Sequence, residues 1–257
     1  MKNINECKLG GFLNHKLLWL KAIKQWYGQV RYVYRCNKKR GRYPRTFVFD
    51  TEKEVVYLSN PKVACSSIKR SMFGERPNIH SLPGNITNEL NTEMERYYKF
   101  TFVRNPYKRL VSCFEDKCIQ HPDDICWNYY VFKSLLRIRD FNRFVHRVCL
   151  IPDSMAEPHF SGQYRLIYDK DDKCLVDFVG KVEDIRDDYE PILERFGFLP
   201  LPHTNRAASL TGRNWMDYYT PFTAWLVYRK YKKDFVTFGY EDEYKKLKEY
   251  LKNKKRL

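Results

Sequence analysis

The chain is 257 residues long and carries 47 Lys and Arg against 31 Asp and Glu, a formal net charge of +16. Hydrophobic residues make up 43% and aromatic residues 16%, which excludes a disordered tail, a collagen-like fibre and a polytopic membrane protein. A chain of this length can bury one large core without metal or disulfide staples, and its charge points to anionic partners without naming one.

Residues 1–45 read as a basic N-terminal appendage and 46–257 as the main domain. Leu13, Leu17, Leu20 and Ile23 recur near helical spacing and predict an amphipathic helix over 12–27. Such a helix either docks on the core or lies against a membrane surface. His15, Lys16, Lys21 and Lys24 interrupt it, so it reads as neither a signal peptide nor a membrane span. The expectation is a cytoplasmic protein, with peripheral membrane contact through 12–27 left open. Residues 31–45 add seven basic residues and no acid.

A strand–helix alternation follows. Residues 54–59 read as a buried strand and 66–73 as a helix; residues 99–104 read as a second strand. Asn105 and Pro106 supply an N-cap and a first-turn proline. The helix they open places Tyr107, Leu110, Val111, Phe114 and Cys118 on one apolar face. Residues 139–150 read as helical and 175–180 as a third strand. Asp188 is expected to cap a helix that tolerates Pro191 only near its first turn. Thr220-Pro221 opens a helix to about Lys233, and the tail from Lys245 reads as a charged, solvated helix. Strands alternating with helices predict an α/β fold, a mainly parallel central sheet flanked by helices.

Eight cysteines are scattered through the chain and read as reduced, structural thiols. Cys113, Cys118, His121 and Cys126 invite a zinc site, but the first two fall five apart on a helix and face different directions, so no metal is expected.

A parallel sheet binds nucleotides beyond the carboxyl ends of its strands, and two strand–helix junctions carry fitting chemistry. In the first, Pro61, Lys62, Val63, Ala64, Cys65, Ser66 and Ser67 run from strand to helix. Backbone N–H groups and the two hydroxyls make an anion pocket, with Lys62 as a mobile point charge; on its own, Ser66 reads equally as a helix cap. In the second, Arg104 ends a strand and Ser112 follows two turns into the helix, suiting a second phosphate. One pocket fits a 5′-phosphate and the other a 3′-phosphate of one nucleotide. No G-x-x-x-x-G-K-[ST] loop is present, which disfavours a P-loop phosphotransferase. A nucleic-acid-binding module would leave both pockets unexplained.

The segments PKVACSSIKRSMFG and FTFVRNPYKRLVSCFEDK, followed by AEPHFSGQ, VDFVGKVEDI and YKKDFVTFGY, resemble the phosphosulfate-binding and supporting motifs of the Golgi-type carbohydrate sulfotransferases (the chondroitin, dermatan and related family). The resemblance spans roughly residues 55–240 and implies a P-loop-NTPase-like sulfotransferase fold. It also implies 3′-phosphoadenosine 5′-phosphosulfate as donor, with Lys62, Ser66 and Ser67 on the 5′-phosphosulfate and Arg104 and Ser112 on the 3′-phosphate. The family carries an N-terminal anchor, which this chain is not expected to have, and a His-Trp pair that reads His159-Phe160. Lys62 is expected to stabilise the leaving oxygen and His159 or His80 to act as general base, with Glu183 a further option. Lys181 and Glu183 could face the cleft or pair structurally, and Asn205 and Arg206 could add a donor or acceptor contact. The implied acceptor is a sugar hydroxyl on an anionic glycan, without metal or nucleic acid.

Overall fold

A computed structural model describes residues 45–121, 135, 138–153, 156–202 and 212–254. The appendage up to residue 44, its helix over 12–27, Cys126, Asn205 and Arg206 lie outside the described residues. Arg45, the last residue of the expected appendage, donates to the carbonyls of Leu166 and Tyr168, each at 2.7 Å.

All three expected strands form: β2 at Val55–Leu58, an unbroken apolar run, β4 at Tyr98–Val103, and the third shifted toward the C-terminus from 175–180. β2 and β4 pair in parallel, and the third, β5 at Phe178–Lys181, pairs in parallel with β4. Two strands were not foreseen. β1 (Phe47–Asp50) makes an antiparallel hairpin with β2, and the two-residue β3 (Ile86–Thr87) pairs with β1. The five-stranded sheet has the order β3-β1-β2-β4-β5. The α/β expectation holds, with a parallel centre and an antiparallel margin; β3, at two residues, is too short to leave a period in the sequence.

Both faces of the sheet are covered, which is why its central strands are mostly apolar. Val56, Leu58 and Val103 face one hydrophobic cluster, while Val55, Tyr57, Phe100 and Phe102 face the other. The second cluster is closed by α1 (Cys65–Phe73) through Ile68 and Met72, and by α5 (Ile185–Phe196) through Tyr189 and Ile192. The first is closed by α2 (Pro106–Phe114), α3 (Phe141–Leu150), the short α4 (Gln163–Ile167), α6 (Pro221–Lys230), α7 (Lys232–Thr237) and α8 (Glu241–Lys254).

α2 begins as expected: the Asn105 side chain accepts from the Tyr107 N–H at 2.9 Å, with Pro106 in the first turn. It then widens into a π-helical turn, Glu115–Gln120. α5 starts one turn earlier than expected. Asp184 precedes it, Asp188 accepts the Lys181 N–H instead, and Pro191 lies seven residues in. Pro191 and Asp187 are both exposed, so the carbonyl that loses its N–H partner turns to water. The helix from Pro221 has the reciprocal Thr220–Thr223 capping box but ends at Lys230, where Tyr231 leaves helical geometry. The tail helix is not wholly solvated: α8 buries Leu247 and Leu251.

β5 lies close to β4 at Gly180, where an added Cβ would overlap the Phe102 ring. Gly180→Ala should therefore lower stability by about 1–3 kcal/mol in urea denaturation; an unchanged midpoint would contradict this packing.

Candidate active site

The carboxyl ends of neighbouring β2 and β4 open onto one crevice. From β2 the chain runs through Ser59 and Asn60 to Lys62 (φ 66°) and Ala64 (φ 50°), both left-handed without being glycine. Such strain persists only where surroundings over-determine it, and it concentrates at functional sites. α1 then starts without a side-chain cap and with no acid in its first turn. Its first N–H groups are therefore available to an anion, and Ser66 does not act as the cap.

Three buried side chains hold the crevice together. The Gln163 carboxamide oxygen accepts from the Arg104 N–H at 2.9 Å and from Asn60 Nδ2 at 3.2 Å, while its Nε2 donates to the Arg104 carbonyl at 2.8 Å. Asn60 Nδ2 also reaches the Phe102 carbonyl at 3.0 Å. Arg109, 3% exposed, donates to three carbonyls: Pro61 at 3.1 Å, Pro158 at 2.6 Å and Ser161 at 2.6 Å. Its guanidinium thereby links the Lys62 loop to the turn that carries His159.

A cavity of about 800 Å³ results. The β2 side supplies Lys62, Ala64, Cys65, Ser66 and Ser67, and the β4 side supplies Arg104 and Ser112. His80 and His159 also line it. Arg104 Nη1 donates to the Lys62 carbonyl at 3.3 Å, so the two junctions touch. Val63 turns into the core, and Pro61 meets Arg109 through its carbonyl, so neither side chain faces the cavity. Glu183 accepts from the Asn105 N–H at 3.1 Å and from the Tyr240 hydroxyl at 2.8 Å, and the Lys181 ammonium lies over the Tyr240 ring. Both are paired structurally and outside the cavity.

The two histidines differ. His159 Nδ1 lies 2.7 Å from Glu157 Oε1, and its backbone N–H donates to Oε2 of the same carboxylate at 2.8 Å. Glu157 is buried. This pairing favours the tautomer with the proton on Nδ1, which makes Nε2 the acceptor nitrogen. His80 Nε2 instead lies 3.2 Å from Ser66 Oγ. Burial, then the charges of Lys69, His159, Lys117 and Arg70, hold His80 below its ordinary value.

Sequence reasoning missed Asp116, Glu157, Gln163 and the role of Arg109. Asp116 lies four residues after Ser112, a helical spacing that would have placed both on one face. Cys113 and Cys118 are buried in the core; burial pushes both thiols up, Cys118 to about 12, far from the thiolates a metal needs. Among the described residues no group of His, Cys, Asp and Glu is arranged to hold a metal, and the described cysteines 65, 113, 118, 149 and 174 are free.

A profile of the sulfotransferase family matches residues 45–241, and the chain belongs to that family. It is 26% identical over 234 residues to carbohydrate sulfotransferase 11 of Mus musculus, covering 75% of this chain and 66% of the relative. It is 24% identical over 252 residues to carbohydrate sulfotransferase 12 of Xenopus laevis, covering 75% and 59%. With carbohydrate sulfotransferase 9 of Homo sapiens it shares 25% over 245 residues, covering 76% and 53%. The chain thus spans between about half and two-thirds of these relatives. No solved structure matches it.

The cytoplasmic expectation is corrected by this membership, because the matched relatives are Golgi enzymes, lumenal and membrane-anchored. Among the described residues no helix is long and apolar enough to cross a membrane.

The knot behind the cavity also contains a titrating group. Asp234 accepts from the Gln163 and Tyr164 N–H groups, each at 2.8 Å. Burial pushes its carboxyl up to about 6 from 3.8, against the pull of those two N–H groups and of Arg109. The folded chain then holds this proton more tightly than the unfolded chain, so this group's contribution to stability falls as pH rises from about 4 to about 6 and is flat above. Between roughly pH 4 and 6 the fall should be about 2 kcal/mol. Comparing urea denaturation of the wild type with Asp234→Asn checks it: the difference should carry this slope, and parallel pH profiles would contradict it.

Proposed function

We propose that this chain transfers the sulfuryl group of 3′-phosphoadenosine 5′-phosphosulfate to a sugar hydroxyl of an anionic glycan. The observation that carries the reading is that Lys62 and Arg104, from two adjacent parallel strands, line one cavity and touch through the Lys62 carbonyl. A nucleotide with phosphates at both ends of its ribose needs such a pair of cationic sites at short, fixed separation. The N–H groups opening α1, with Ser66 and Ser67, would hold the 5′-phosphosulfate; Arg104 and Ser112 would hold the 3′-phosphate. The apolar wall of Val182, Ile185, Tyr189 and Leu193 suits a flat base.

In this reading the acceptor oxygen attacks sulfur in line with the departing phosphate oxygen. The new O–S bond forms as the sulfur–phosphate-oxygen bond breaks, and adenosine 3′,5′-bisphosphate leaves with that electron pair. His159 Nε2 takes the hydroxyl proton, and Glu157 stabilises the imidazolium that forms. Lys62 meets the charge growing on the leaving oxygen; one such preorganised donor typically supplies ~2.7–4 kcal/mol. Lys117, His121 and Arg186 also line the cavity and favour an anionic acceptor.

The test is a thermal-shift comparison of three nucleotides. Adenosine 3′,5′-bisphosphate should raise the melting temperature well above the effect of 5′-AMP or ATP at equal concentration. Equal shifts for all three would argue against a 3′-phosphate pocket.

A further inference from the structure

The Lys62 ammonium is already engaged. It lies 2.9 Å from Asp116 Oδ2, with the two side chains only 16% and 23% exposed. Lys62 reaches this position from a left-handed backbone at the end of β2, and Asp116 from the π-helical turn that extends α2. Asp116 shares the cavity wall with Ser112, four residues earlier, and with Lys117. π-Helical turns are uncommon and recur at functional sites.

We propose that Asp116 is a positioning residue for sulfuryl transfer: it holds the Lys62 ammonium where the leaving oxygen will develop charge, and it weakens nucleotide binding in doing so. The inference rests on the sulfotransferase reading of this cavity.

Two physical effects act in opposite directions. A lysine is a point charge on a four-carbon stem, and immobilising it costs rotamer entropy. An anion beside it before the donor arrives meets that cost in advance, so the cation need not be recruited from water during the reaction. Asp116 is itself negative, however, and it faces the space that a polyanionic nucleotide would enter. Burial would raise its carboxyl, but Lys62, then Lys117 and His159, hold it below the ordinary carboxylate value. It is therefore charged at neutral pH. Lys117 at 3.4 Å and His121 at 3.8 Å flank it as well, so its removal leaves a more cationic cavity.

A purely structural role for Asp116 predicts that binding and turnover decline together. The positioning role predicts that they separate in sign. Asp116→Asn should bind adenosine 3′,5′-bisphosphate about tenfold more tightly in calorimetric titration, because a unit negative charge has left the cavity. Its turnover should fall at least about tenfold, because Lys62 is no longer held in place; turnover is read as appearance of that nucleotide from the donor with chondroitin supplied as probe acceptor. Asp116→Glu should recover part of the turnover. If Asp116→Asn gives no cooperative melt, Asp116→Ser carries the same comparison. Weaker nucleotide binding by the variant, or unchanged turnover, would overturn the proposal. A wild-type chain that binds no adenosine 3′,5′-bisphosphate would instead overturn the donor reading beneath it.

Discussion

The Gln163 carboxamide stands between the ends of two parallel strands and serves both. Its oxygen accepts from the main chain of Arg104 and the side chain of Asn60, and its amide returns a bond to the Arg104 carbonyl. Each of these groups is withdrawn from water, and a buried polar group left unpaired costs about 1–3 kcal/mol. The separation of the two junctions is thus enforced by groups that have no good alternative partner. Asp234 accepts the main-chain N–H groups of Gln163 and Tyr164 and so holds the start of the short helix that carries the carboxamide.

Arg109 extends the same constraint to Lys62 and His159, the groups proposed to react. Its three carbonyl acceptors belong to residues that adjoin or lie within two positions of Lys62 and His159. A guanidinium presents donors in a fixed planar fork, so one buried side chain sets the relative placement of two segments about a hundred residues apart. Cations that line the cavity and a cation that serves the scaffold coexist here at close quarters. Arg109 is held by three carbonyls and Lys62 by a single carboxylate, while Arg104 spends one nitrogen on the Lys62 carbonyl.

The parallel centre of the fold was readable because Val55–Leu58 is apolar and buried at every position, and Phe100, Phe102 and Val103 bury the same way in the next strand. Asn105-Pro106 announced its helix through local capping chemistry, which acts within a few residues. β1 and β3 were missed because they depend on pairing rather than on pattern. The start of α5 was misplaced because Asp188 serves the β5 end instead of its own helix. In the candidate site, residues in contiguous motifs were legible. The pairings across the chain were not: Lys62 with Asp116, Arg109 with three carbonyls, and Gln163 with two strand ends. The Glu157–His159 pair, two residues apart, lay close enough in sequence to be inferred.

The account depends on Arg104 and the Lys62 loop gripping one molecule. Calorimetric titration of adenosine 3′,5′-bisphosphate and of 5′-AMP into wild type and Arg104→Ala tests this directly. The wild type should prefer the bisphosphate by about tenfold or more, in keeping with charge-assisted bonds of about 1.5–3 kcal/mol. Arg104→Ala should keep its affinity for 5′-AMP and lose that preference. An Arg104→Ala chain that still prefers the bisphosphate by the wild-type margin would contradict the shared site.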